Sequence, residues 1–447
     1  MKMKKFVCLG LDCADPKLIF EEFSNDLPNL SNLMKNGSYS PLKSTIPPIT
    51  VPAWMSMLTG KDPGELGLYG FQNRLDRSYE NILIPNAAMV KYDTIWQTLS
   101  KMGFSSLIIG VPLTYPPKPF KGNIITSFFT PSVKSNYTFP KSLKYEITSW
   151  VDRYLFDVEN LRTVDKKSVL RDVYEMTKNR FEIAYRLLRN KEWDFFMMVE
   201  MGTDRMHHAF WAHHDHTHSK HDPNSPFIDS IFKYYRYVDK KIGELLEILP
   251  KDTNVLIVSD HGVQKMKGGI AINDWLMDHG LLTLKRKPKA ITRIEQLITE
   301  EIIDWGKTSC WAFGGYYGKL FINVKGRETM GLIHPEELKA FKDELEKNIF
   351  DIKDENGRTM DTKIYRPEAI YKKLRNIPPD LMIYFGNLSW RAIGTIGNDS
   401  IWIHENDTGP DDANHAQHGI AISSSKHCPK NITQVYDHIL NHFISAQ

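Results

Sequence analysis

An aspartate and a histidine side by side at the end of an apolar run are the clearest chemical signal in this chain. In VLIVSDHG, Val255 to Gly262, four β-branched or long apolar residues lead into Asp260 and His261. A short apolar run bounded by polar residues reads as a buried strand of a parallel sheet, and ligands gather at the carboxyl ends of such strands. Past the strand end side chains no longer alternate between faces, so both groups could converge on a metal; oxygen and imidazole donors suit zinc or a similar ion. The pattern occurs twice more: KFVCLGLD stops at Asp12, and WDFFMMVEMGTD stops at Asp204. An aspartate after a strand also serves as a helix cap or turn former. Three on one edge of a sheet, however, repel one another unless cations hold them.

Other stretches carry chemistry of the same kind. SPLKSTIPPITVPAWMSMLTG sets three prolines around Thr50, then a run, Ala53 to Leu58, that could be helical up to Gly60. Pro52 in the first turn puts Thr50 at or next to the helix start. There it is either an N-cap or a nucleophile, because the free N–H groups of a helix N-terminus also hold phosphate oxygens. GTDRMHHAFWAHHDHTHSKHD holds seven of the 16 histidines, and Asp204 and His208, four apart, would share a helix face and could share a metal. The others, His207, His213, His214, His216, His218 and His221, read as a polar, solvated lid. NHAQHGIAISSS brings His415 and His418 just ahead of a short apolar run, as late ligand candidates. The basic cluster Lys285 to Lys289 reads as a solvated loop, with contact to an anionic substrate as the alternative.

These residues need a scaffold, and the rest of the chain describes one. PNLSNLMKNG reads as a short helix, YDTIWQTLSKMG and FSSLIIGVP as a helix followed by a strand, and Lys166 to Asn190 and Ile228 to Leu249 as longer helices. The alternation is that of an α/β protein with a central, mostly parallel sheet flanked by helices. Residues 1–262 form the core, 263–409 an elaborated insertion or cap, and 410–447 a returning core segment. At 447 residues the chain is long enough for such an arrangement, and a net charge of +3 gives no bulk case for a nucleic-acid polymer as partner. The basic start MKMKK precedes an apolar stretch too short for a signal peptide, and no run of about 18 apolar residues would span a membrane. Cys8, Cys13, Cys310 and Cys428 have no CxxC spacing and fit free thiols in a reducing compartment, which predicts a cytoplasmic protein. LGLDCADP stands where a dinucleotide-binding oxidoreductase would carry GxGxxG, which removes that class.

Together, Asp12 after a first strand, Thr50 in ITVPAWMSMLTG, Asp204 with His208 in GTDRMHHAFW, SDHG at 259–262 and a late histidine resemble the alkaline phosphatase superfamily, in its type I phosphodiesterase/nucleotide pyrophosphatase branch. PPKPFKGNIITSFFTPS, FINVKGRE and PPDLMIYF add softer likenesses to microbial members. The resemblance implies an alkaline-phosphatase-like sandwich and two divalent metal ions, zinc first and manganese as the alternative. One would be held by Asp12, Asp260, His261 and the Thr50 oxygen, the other by Asp204, His208 and His415, with His418 as the fallback. It implies hydrolysis of phosphodiester or phosphoanhydride bonds in small molecules such as nucleotides through a covalent threonine intermediate. Alternatives on the same core are a phosphomonoesterase, a phosphoglycerate-mutase-like phosphotransferase, or a non-catalytic metal- or nucleotide-binding relative. Phosphonoacetate hydrolases and phosphoethanolamine transferases also look like threonine-containing relatives, but the transferases usually bring membrane helices. Asn73 is a weak candidate for the amide that family members often place on a phosphoryl oxygen.

Overall fold

The computed structural model describes residues 5–445; the start of the basic MKMKK stretch lies outside them. The residues cluster into two compact units, one running up to Leu66 and then through Pro85–Val263 and from His415 onward, the other made of Gly67–Ile84 and Gln264–Asn414.

The first unit is built on an eight-stranded sheet. Its strands are β1 (Phe6–Leu11), β2 (Ser38–Lys43), β3 (Ser106–Val111), β4 (Gly122–Thr126), β5 (Thr138–Phe139), β6 (Phe195–Glu200), β7 (Asn254–Val258) and β8 (His418–Ser423). Their order is β2-β8-β7-β1-β6-β3-β4-β5. The five central strands, from β7 to β4, run parallel, and antiparallel strands close both edges. Every residue of β1, β3 and β6 is buried. Their runs, apolar but for Ser106 and Glu200 at the strand ends, are what parallel strands covered on both faces require.

Six helices matter here: α1 (Pro28–Asn36), α2 (Thr50–Thr59), α3 (Ile95–Lys101), α4 (Lys166–Asn190), α5 (Gly202–His214) and α6 (Ser230–Glu247). Val169, Val173, Met176 and Phe181 form the buried stripe of α4, and the Asp165 side chain caps its start by accepting from the Ser168 N–H. Helix α2 opens at Thr50 with Ile49 in the cap position, and ends at Gly60, whose φ of 68° gives the left-handed turn that only glycine adopts without strain. The Thr50 side chain makes no capping bond. Helix α5 extends through His214, so His208 lies on the same helix as Asp204, and His207, His213 and His214 are helical rather than part of a solvated lid. Phe210, fully buried beside them, is the reason, since it draws this face into the packing. His207 is buried too, with the Tyr235 hydroxyl 3.1 Å from its Nε2.

The second unit contains a four-stranded antiparallel sheet, in the order Cys310–Phe313, Gly318–Ile322, Leu381–Tyr384, Lys363–Tyr365, together with the helix Leu338–Phe350. Tyr79 stacks on Trp305 at 3.6 Å between ring centroids, both within its apolar core. Its buried carboxylates are fully engaged. Glu328 accepts from Arg74, Arg77, Arg327 and the Val324 N–H; Asp380 accepts a two-pronged bond from Arg327 and another from the Ile322 N–H. Lys285, Arg286, Lys287 and Lys289 are exposed. Both ends of the Asn73 amide serve their own turn, with Oδ1 accepting from the Tyr69 N–H and Nδ2 donating to the Gly70 carbonyl. All four cysteines are free thiols. Among the described residues no helix is long and apolar enough to cross a membrane.

Candidate active site

Three neighbouring strands end together. The register pairs Leu11 with Glu200 and Gly10 with Val258, so β7, β1 and β6 deliver the residues that follow them to one edge of the sheet. Asp12 comes directly after β1, Asp260 two residues after β7, and Asp204 sits in the first turn of α5. Backbone and side-chain bonds stitch this edge. The Asp12 N–H donates to the Glu200 carbonyl at 2.9 Å, and the Thr203 hydroxyl donates to the Asp12 carbonyl at 2.5 Å. Glu200 Oε1 accepts from the Gly202 N–H at 2.8 Å. A Cβ at Gly202 would fall 1.9 Å from the Tyr234 hydroxyl, so the turn into α5 requires glycine.

Helix α2 closes the edge from another side. Trp54 donates its indole N–H to Asp12 Oδ2 at 2.7 Å, and its ring fits because Gly10 has no side chain; a Cβ there would lie 2.3 Å from the indole. This sets Thr50, one turn earlier, with its hydroxyl 3.4 Å from His261 Nε2. His415 arrives on the segment before β8 and anchors its Nδ1 on the Pro48 carbonyl at 2.8 Å.

All seven residues, Asp12, Thr50, Asp204, His208, Asp260, His261 and His415, are buried in this first unit. They form two overlapping groups: Asp12, Asp260 and His261 in one, Asp204, His261 and His415 in the other, with the donor atoms of each group within 4.8 Å of one another. His208 joins the second, its Nε2 3.3 Å from Asp204 Oδ1. The His261 and His415 rings stack at 3.7 Å. His418 is exposed at the start of β8, outside both groups.

The polar atoms at the centre are arranged for cations. Asp12 Oδ1, Asp204 Oδ1 and Asp260 Oδ2 are buried with no hydrogen-bond donor, a condition that costs several kcal/mol per ionised group without compensation (~2 kcal/mol or more). Burial, then the Asp204 charge, pushes Asp12 well above the usual carboxylate range; burial, then the Asp12 charge, does the same to Asp260. Burial raises Asp204 too, but His208 and Arg205 outweigh it and hold that carboxyl well below its ordinary value. Burial drives His261 down to about 4 and His415 well below 6.5, so both imidazoles are neutral. Each turns Nδ1 to a carbonyl, that of Gly262 at 3.1 Å and that of Pro48 at 2.8 Å. A carbonyl only accepts, so the proton sits on Nδ1 and the Nε2 lone pair faces the carboxylates. His261 Nε2 then lies 3.2 Å from Asp260 Oδ2 and 3.9 Å from Asp12 Oδ1, acceptor against acceptor. A divalent ion among them relieves both the repulsion and the missing donors, and this oxygen-and-nitrogen donor set fits one.

Several supporting residues escaped the sequence reading. The Trp54 indole was traceable, since it lies four residues after Thr50 on the same helix. The Cys13 N–H on Asp260 Oδ1, the Ser44 hydroxyl on the Asp260 carbonyl and the Asp157 carboxylate on Arg205 were not, because their partners lie far off in sequence.

A family model described as type I phosphodiesterase / nucleotide pyrophosphatase matches residues 6–420. Among solved structures, phosphonoacetate hydrolase from Sinorhizobium meliloti 1021, in complex with phosphonoformate, aligns over 100% of this chain and 96% of its own, at 13% identity and a TM-score of 0.63. Human ectonucleotide pyrophosphatase/phosphodiesterase 5 aligns over 99% and 95%, at 14% identity and a TM-score of 0.54. An inactive form of the murine protein, in complex with AMP, gives 13% identity, a TM-score of 0.53 and the same coverage. At these identities the likeness is one of fold, the alkaline-phosphatase-like α/β arrangement. No curated protein sequence matches.

Proposed function

The chain belongs to the type I phosphodiesterase/nucleotide pyrophosphatase family, and from that premise we propose that it hydrolyses phosphodiester or phosphoanhydride bonds of small molecules such as nucleotides, with two bound divalent ions and Thr50 as nucleophile. The observation that carries this is the set of three buried carboxylate oxygens without donors, gathered beside a hydroxyl at a helix start.

Asp12, Asp260, His261 and the Thr50 oxygen would hold one ion, and Asp204, His208 and His415 the other; zinc suits this set first and manganese second. When bound, such ions neutralise an anionic phosphate ester and lower the pKa of a nearby hydroxyl. The chain's own groups do the rest. At the opening of α2, Thr50 is held by the helix, and the N–H groups of Thr50 and Val51 in that first turn would be available to phosphoryl oxygens. The Thr50 oxygen forms a bond to phosphorus as the bond to the leaving oxygen breaks, and water then hydrolyses the phosphothreonine, returning the hydroxyl. Burial keeps this chemistry apart from bulk water, and fixed donors meet the charge that develops on the phosphoryl oxygens. Four free thiols support a cytoplasmic setting.

The test is a panel of the metal-loaded protein on a nitrophenyl ester of a nucleoside monophosphate, nitrophenyl phosphate, dinucleotides and phosphonoacetate. Release of nucleoside monophosphate at the highest kcat/KM is the expected result. Preference for the monoester would support the phosphatase or phosphotransferase reading, preference for phosphonoacetate would move the reaction to a phosphorus–carbon bond, and no turnover of any substrate would favour a binding protein.

A further inference from the structure

Arg205 follows Asp204 on α5, and its guanidinium bridges two carboxylates. Nε and Nη2 lie 2.6 Å from the two oxygens of Asp157, a planar fork on a planar carboxylate, while Nη1 donates to Asp204 Oδ2. The other Asp204 oxygen, Oδ1, is buried without a donor and faces His208 Nε2 at 3.3 Å and His415 Nε2 at 3.9 Å. The two oxygens of one carboxylate are thus sorted, the outer one held and the inner one offered. Asp157 lies outside the cluster, 30% exposed, in the irregular segment before α4.

We propose that Asp157 and Arg205 form a positioning clamp that makes Asp204 present a single oxygen to the ion it would share with His208 and His415. The inference rests on the two-ion reading above and concerns a pair of residues outside the ligand set. By charge alone, a guanidinium beside a site for dications opposes their binding. Asp157 cancels that charge while its fork fixes the plane of the guanidinium, and this leaves orientation as the contribution of Arg205. Charge and orientation therefore predict opposite outcomes. Removing the guanidinium tightens metal binding if charge dominates. It weakens binding if the clamp sets the geometry, because Asp204 is then free to rotate or to offer both oxygens.

The experiment titrates the metal-stripped full-length chain with zinc in chelator-buffered solution and resolves two binding steps, with Asp204→Asn marking the step that belongs to Asp204. Arg205→Gln is expected to weaken that step by about 10- to 100-fold, the usual effect of losing a partner behind a metal ligand, and to leave the other step unchanged. Arg205→Lys, which keeps the charge without the fork, should fall between wild type and Arg205→Gln. Asp157→Asn, at a half-buried position, should weaken the same step too; if Arg205→Gln does not fold, Arg205→Lys carries the test, since charge alone would leave its zinc binding unaltered. Tighter or unaltered zinc binding in Arg205→Gln would overturn the clamp, as would equal weakening of both steps, which marks a general loss of structure. Wild-type protein that binds no zinc would remove the two-ion reading, and the clamp with it; two bound ions with an indifferent Arg205→Gln would remove the clamp alone.

Discussion

Buried charge is handled in opposite ways in the two units. In the second, Glu328 and Asp380 are wrapped by arginines and backbone N–H groups, so each oxygen has a donor. In the first, Asp12, Asp204 and Asp260 each keep one oxygen bare, and Glu200 Oε2 is a fourth. Among the described residues every buried carboxylate oxygen without a donor falls in the first unit. Complete pairing is how a protein stabilises charge it must bury for packing; incomplete pairing keeps coordination capacity in reserve. On the two-ion reading, the difference marks which of the two buried acidic clusters is built to receive something.

Substitutions can break or sharpen this contrast. The largest effect is expected from Thr50→Ala, which should cut hydrolysis by about 10³-fold or more while metal content, read by elemental analysis, stays at two ions. Unchanged turnover would return Thr50 to a purely structural position. Next, Glu328→Ala strands the fully buried Arg74 and should cost about 3–5 kcal/mol in denaturant unfolding. The same kind of change in the first unit should act in reverse. In metal-free protein Asp260→Asn puts an amide N–H where the bare Oδ2 faces His261 Nε2, and should raise stability by about 1–3 kcal/mol. A loss instead would mean that Asp260 is paired as Glu328 is.

A smaller effect follows from pH. Asp12 and Asp260 bind their protons more tightly folded than unfolded, so they contribute stability below the ordinary value of 3.8 and lose it as pH rises through their raised folded values. His261, lowered from 6.5 to about 4, contributes above 6.5 and loses that contribution as pH falls toward 4. Thermal melts of chelated protein from roughly pH 5 to 8 should therefore decline on both sides of a maximum, and zinc should flatten the alkaline limb. A melting temperature indifferent to pH above the maximum would contradict the raised carboxyls. Smallest of all, Lys287→Ala, on an exposed loop, should change kcat/KM by less than about 2-fold, since a solvated surface charge acts weakly.

Much of the first unit could be read from the chain because its signals are local. The runs leading to Asp12, Asp204 and Asp260 are buried strands that are apolar but for their ends, and the spacing of Asp204 and His208 on one helix face needs only the helical period. What could not be read depends on long-range return. The edge strand β2 pairs with β8, nearly the whole chain away, and its half-polar sequence SYSPLK carries no strand signal. Residues 67–84 cluster with an insertion that begins about two hundred positions later, with no shift in composition to mark them. His415 is preferred to His418 on resemblance alone; the Pro48 carbonyl that holds the His415 Nδ1 could not be read from the chain, because only the folded backbone brings it there.

Gly10 has no functional group, yet its missing side chain is what lets an indole from α2 lie against β1 and reach Asp12. Any larger residue at that position would push the tryptophan outward and drag the opening turn of its helix along. A screen for inactive variants should therefore recover position 10 as readily as the reactive positions themselves. Such a variant would keep Thr50 and every carboxylate and imidazole of the cluster in its sequence while misaligning them.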